Sequence, residues 1–129
     1  MNVEPWDEWV AKAEEDWTAL NRLLAGELIG VANVLVFLAQ QSAEKYLKAL
    51  LVREGIEPPR IHNLGVLLDL ATEKYPELES VRREAETLTP YAVAYRYPGV
   101  WATIEEAEEA IEYATKIRRL LRKILDLPG

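Results

Sequence analysis

A single histidine, His62, and the absence of cysteine limit the chemistry open to this chain. Without cysteine there is no thiolate nucleophile, no cysteine zinc site and no disulfide framework. One histidine cannot build a multi-histidine metal centre within one chain, so no metal ligand set and no cofactor is expected. Four other side chains could carry chemistry. Lys45 and Lys48 follow a very apolar stretch, either as snorkelling lysines that cover a core edge or as an anion site. Arg96 lies in the segment AYRYPG with Tyr97 beside it. Its guanidinium can cap a helix end, form an ion pair, or hold a phosphate. His62 just precedes a helix start. There it either fixes a connector through a local hydrogen bond or acts near a cleft as a proton-transfer or phosphate-contacting group. The glycines are isolated, so no phosphate-cradling loop is present. No Ser–His–Asp arrangement stands out, and the many glutamates read as solvated helix faces.

The elements that would position these groups are helices. The chain has 129 residues, half of them hydrophobic and 29% charged. That profile is globular and fits one domain spanning residues 1–129. The net charge of −7 disfavours non-specific binding to nucleic acid or anionic membranes. A local basic patch still leaves nucleic acid open. The N-terminal MNVEPWDEW lacks the basic region and apolar run of a signal peptide. The longest apolar stretch, Leu28 to Ala39, is too short to span a membrane. A cytoplasmic protein without a membrane contact is the expectation.

Apolar spacings of three and four residues, with the punctuation between them, predict an all-α, up-and-down helical bundle of about five helices. The first runs from about Pro5 to Ala25. Trp6 and Trp17 share its apolar face and Trp9 lies to one side, as core or as a subunit interface. The second runs from about Val31 to Glu54. Its first half is apolar all round, which requires cover on several sides. Its second half is amphipathic, with Leu47 and Leu50 inward and Glu44 and Lys48 in the favourable four-residue order. Gly55 stops it. After the rigid Pro58–Pro59 connector, Asn63 caps a short third helix, LGVLLDLATEKY. Pro76 opens a fourth that reaches Tyr95 and is kinked at Pro90. Thr103 and Glu106 form a capping box for the fifth, whose acidic start and basic end complement its dipole.

The second helix and its connector read AQQSAEKYLKALLVREGIEPPRIHNLGVLL. This resembles the HEPN family of helical "nucleotide-binding" domains. The family pattern is AxQAAEKxLKALL, then glycine, a proline-bearing connector, and H-x-L opening the next helix. Here Ala39, Gln41, Ala43, Glu44, Lys45, Leu47, Lys48, Ala49, Leu50, Gly55, Pro58, His62 and Leu64 hold those places. The stretch Tyr95 to Gly99 is similar to the family's arginine–tyrosine–proline segment after the fourth helix.

The resemblance implies a bundle that forms a homodimer, with a groove where the fourth-helix ends meet. It further implies a minimal nucleotidyltransferase as partner, often as a toxin–antitoxin pair, and a possible bound nucleotide contacted by Lys45, Lys48, His62, Arg96 and Tyr97. Ribonucleases of the family carry arginine, four to six residues, then histidine. Arg96 matches the arginine, but Trp101, Ala102 and Thr103 occupy the histidine window. A binding protein without RNase activity is therefore the first expectation. A diverged RNase using Arg96 and His62 is the second, and a purely structural interaction module the third. For the partner, the expected surface is the aromatic side of the first helix for affinity, with the charged outer face of the fifth for specificity.

Overall fold

A computed structural model describes residues 4–129; residues 1–3 of the expected domain lie outside the described residues. Five helices carry the fold: α1 (Pro5–Leu24), α2 (Ala32–Arg53), α3 (Leu64–Thr72), α4 (Arg82–Leu88) and α5 (Ile104–Ile124). Among the described residues there is no strand, and no helix is long and apolar enough to cross a membrane.

Local chemistry sets most boundaries. Pro5 sits in the first turn of α1, where its missing N–H costs no hydrogen bond. Gly30 and Gly55 take φ of +86° and +77°, a region that favours glycine, and they flank α2 on either side. The Asn63 side chain accepts from the Val66 N–H and so starts α3. Thr103 and Glu106 make the reciprocal capping box that starts α5.

α2 is the central post. α1 descends against it and α5 rises parallel to it, as the pairings of Asn33 with Ala102 and of Arg53 with the Ile124 carbonyl show. Leu35, Val36, Ala39, Ala43, Leu47, Leu50 and Leu51 of α2 are buried. Burying a leucine of this kind contributes about 1.5–3 kcal/mol. The connector after α2 returns to mid-height, α3 climbs again, and the chain then descends along α5.

That descent differs from the single kinked helix expected from the sequence. It comprises a 3-10 turn at Pro76–Val81, the seven-residue α4, and 3-10 turns at Thr89–Ala92 and Ala94–Arg96. Pro90 cannot donate to a carbonyl four residues back, which accounts for the lower break. The upper break lies at Val81, with φ −115° and ψ 14°. Arg82 bridges it: its guanidinium donates twice to Glu79 in the turn before, and also to Asp69 and the Gly65 carbonyl of α3. The inward rhythm nevertheless survives, because Leu78, Val81, Ala85, Leu88 and Ala92 are all buried. α3 is also shorter than expected and ends at Thr72.

A polar knot ties α1, α2 and α5 together. Arg118 donates twice to Glu14, at 2.9 and 2.8 Å. The Tyr46 hydroxyl donates to Glu14 and accepts from Arg122 at 2.8 Å. Burial alone would raise the Glu14 carboxyl, but its hydrogen bonds from Arg118 and Tyr46 and the nearby arginine charges hold it below the usual range. Burial, then the Glu14 carboxylate, push the Tyr46 hydroxyl up to about 12.

Candidate functional site

The described surface holds a rim of unpartnered side chains where the descent ends. Pro98 and Gly99 turn the chain after the Ala94–Arg96 segment, with Gly99 at φ +90°. Asn33, in the first turn of α2, fixes the segment beyond that turn. Its amide donates to the Val100 carbonyl at 3.3 Å and accepts from the Ala102 N–H at 2.6 Å. Two large aromatics are thereby left outside: Tyr97 is 63% exposed and Trp101 76%. Ile29, Val34 and Val93 are exposed as well.

Arg96 lies within this rim. Its guanidinium sits 5.3 Å from the centre of the Phe37 ring, a cation–π distance. Among the described residues no carboxylate lies within ion-pair distance of it. Asn33, Val34, Phe37, Tyr95 and Arg96 line an open cavity of about 340 Å³. Tyr95 anchors the segment from behind. Its ring stacks edge-on against Tyr91 at 4.8 Å, and its hydroxyl donates to Glu106 of the α5 capping box at 3.1 Å. Burial, followed by the charge of Glu106, pushes the Tyr91 hydroxyl up to about 12.

Two turns further along α2 the polar groups are all spoken for. The Glu44 carboxylate is buried and accepts from Gln40 at 3.1 Å and from Lys48 at 3.0 Å. His62 Nδ1 lies 2.8 Å from the same carboxylate, an arrangement in which the ring N–H donates. Gln40 also donates to the His62 carbonyl at 3.0 Å. His62 therefore fixes the connector to α2, while its ring stays half exposed.

The five residues singled out from the sequence thus fall in three places. Arg96 and Tyr97 share the rim. Lys48 and His62 meet at Glu44. Lys45 faces α1 and pairs with Asp16 at 2.6 Å. Arg96 reaches α2 at Phe37 and His62 reaches it at Glu44, seven residues on. That is about 10 Å along the helix axis, and among the described residues no hydrogen bond joins Arg96 to His62.

The chain matches a family model described as HEPN domain over residues 6–124. The chain belongs to the HEPN domain family. The crystal structure of TT1696 from Thermus thermophilus has a similar fold, with a TM-score of 0.80 and 25% identity; the match covers 94% of this chain and 98% of that one. Among curated proteins the sequence comparison finds no match.

In this HEPN domain the aromatic side of α1 is largely occupied within the chain. Trp6, Trp9 and Trp17 pack against the core. Arg53, Lys48 and Arg118 lie over their rings at 5.7, 5.6 and 5.0 Å. Trp101 is the tryptophan left exposed. Sequence reasoning passed over it, along with Asn33, Val34 and Phe37 as rim residues. One signal was available: Asn33 is a lone amide inside an apolar run, and a polar side chain in such a place needs a partner. Among the described residues no group of three or more His, Asp or Glu is arranged to hold a metal ion.

Proposed function

We propose that this HEPN domain is a homodimeric binding module that joins through the Phe37–Trp101 face. It partners a minimal nucleotidyltransferase and holds a nucleotide phosphate at Arg96 rather than cleaving RNA. The observation that carries this reading is the rim itself. A guanidinium without a carboxylate lies on Phe37 among Val34, Val93, Tyr97 and Trp101, all exposed. Exposed apolar groups gathered in this way usually mark an interface. A planar guanidinium on an aromatic face is well suited to grip phosphate. The nucleotidyltransferase partner is supported by family membership alone.

RNA cleavage through the 2′-hydroxyl needs a proton-transferring group within hydrogen-bond reach of the reacting atoms. Trp101, Ala102 and Thr103 offer none in the family window after Arg96. His62 is anchored about two helical turns away.

Light scattering at micromolar concentration should give twice the chain mass of 14.7 kDa. Val34→Asp combined with Trp101→Ala should return the single-chain mass. A clean monomer from the unaltered chain would refute the dimer. Incubation with a mixed RNA pool should show no cleavage, and cleavage that disappears in Arg96→Ala would overturn the non-nuclease reading. Co-purification of a small nucleotidyltransferase at near-equal stoichiometry supports the partner. Its absence from the purified complex, with such an enzyme expressed, refutes it.

A further inference from the structure

The buried stripe of α5 is Ala107, Ala110, Ala114, Ile117 and Leu121. Two residues on from a buried position is about 200° around the helix, which is its far side. That far side reads Glu109, Glu112, Lys116, Arg119 and Lys123, preceded by Glu105, and every one of them is exposed. The spacing alternates four and three, so they form one straight line down the helix. The line is acidic through its first half and basic through its second.

The helix dipole does not account for this order. Its influence fades within the first and last turns. It explains Glu105 and Lys123 but not Glu109, Glu112, Lys116 and Arg119. Internal pairing does not account for it either. Among the described residues Glu105, Glu112, Arg119 and Lys123 make no ion pair within the chain, and Lys116 reaches across to Glu84 at 2.8 Å.

The order is antisymmetric about Ala114. Glu105 and Lys123 are equally far from it, as are Glu109 and Arg119, and Glu112 and Lys116. A two-fold axis at that level would lay a second α5 antiparallel on the first. Glu105 then faces Lys123 of the second copy, Glu109 faces Arg119, and Glu112 faces Lys116, each pairing occurring twice. A slip of seven residues brings Glu109 opposite Glu112, or Lys116 opposite Arg119. A parallel arrangement sets like charge on like along the whole line. Among two-fold arrangements, this antiparallel register alone sets all six residues against opposite charge.

We infer that the outer face of α5 is a self-association surface for a second copy of this chain, in this antiparallel register. It lies apart from the rim at Arg96 and does not rest on the dimer proposed there. Solvated ion pairs are individually weak, so the contact is weak, reversible and salt-sensitive. Each chain also carries a net charge of −7, and the copies repel at long range. The contact therefore shows best near 0.1 M salt, where screening at about 10 Å mutes the distant charges and leaves touching pairs intact.

Sedimentation analysis of the full chain at about 0.1 M and about 1 M salt tests this, since screening at the higher value shrinks to about 3 Å. At high protein concentration the mass at 0.1 M should be at least twice that at 1 M: a monomer doubles, and a rim dimer, which keeps two free α5 faces, at least doubles. Glu105→Lys with Glu109→Lys should abolish the doubling, and so should Arg119→Glu with Lys123→Glu. All four changes in one chain restore both complementarity and net charge, and should restore the doubling. Melting curves confirm that the variants fold; Lys116 is left untouched because it pairs with Glu84. A mass that ignores salt would overturn the inference. So would doubling that persists in either pairwise reversal, or that fails to return in the fourfold variant.

Discussion

The two halves of α2 meet their surroundings in opposite ways. From Gln40 to Lys48 every polar side chain has a partner inside the chain, and the Glu44 carboxylate serves Gln40, Lys48 and His62 at once. From Asn33 to Phe37 the helix meets an exposed rim whose cation rests on an aromatic ring and has no carboxylate. Both regions contain residues that sequence alone offers as anion ligands. The difference lies in what each charge already touches. A lysine held by a buried glutamate is architecture, whereas an arginine that rests on a half-buried ring and has no carboxylate retains its capacity to bind.

The contrast can be broken most forcefully at the closed end. Glu44→Ala would strand Lys48 in a buried position and should cost about 3–5 kcal/mol in denaturant unfolding. Leu47→Ala beside it should cost about 2–5 kcal/mol. A Glu44→Ala variant as stable as the parent would mean that the closed cluster is dispensable.

Acid should loosen the polar knot that ties α1, α2 and α5. Glu14 titrates below its ordinary value of 4.5 in the folded chain, because Arg118 and Tyr46 outweigh its burial. A carboxyl depressed by folding contributes stability above its unfolded value and loses it as pH falls through the folded one. The melting temperature should therefore fall as pH drops below about 4.5, and Glu14→Gln should flatten that dependence. An unchanged acid slope in that variant would move the effect to other carboxylates, such as Glu84, which Lys116 lowers.

At the open end the expected stability changes are small. Trp101→Ala removes a ring that is three-quarters exposed and should shift unfolding by about 0.5 kcal/mol or less, while weakening association. The smallest effect belongs to Glu105→Ala on the outer face of α5, again about 0.5 kcal/mol or less in a thermal melt. Equal losses in Leu47→Ala and Glu105→Ala would reverse the assignment of buried and exposed faces.

What the sequence disclosed depends on how local each feature is. The Asn63 cap, the Thr103–Glu106 box and the stop at Gly55 involve residues a turn apart, and each was readable. The kink at Pro90 was readable for the same reason. The break at Val81 was not, because Arg82 joins the local Glu79 to α3, and the α3 contact is distant in sequence. Nor was the fate of the α1 tryptophans, which turns on cations from α2 and α5. His62 presented two roles in the sequence. The buried carboxylate eighteen residues away, which now engages it, could be placed only by the folded connector.

Asn33 carries a consequence for recognition. The segment from Tyr97 to Trp101 contains proline and glycine, and a loop of this kind left free moves on timescales of nanoseconds and longer. The Asn33 amide uses one N–H and its oxygen, the same pair a peptide unit offers, and clamps the loop at Val100 and Ala102. The backbone of the rim is consequently preorganised. That ordering is completed when the chain folds, so an arriving partner loses less backbone entropy in docking.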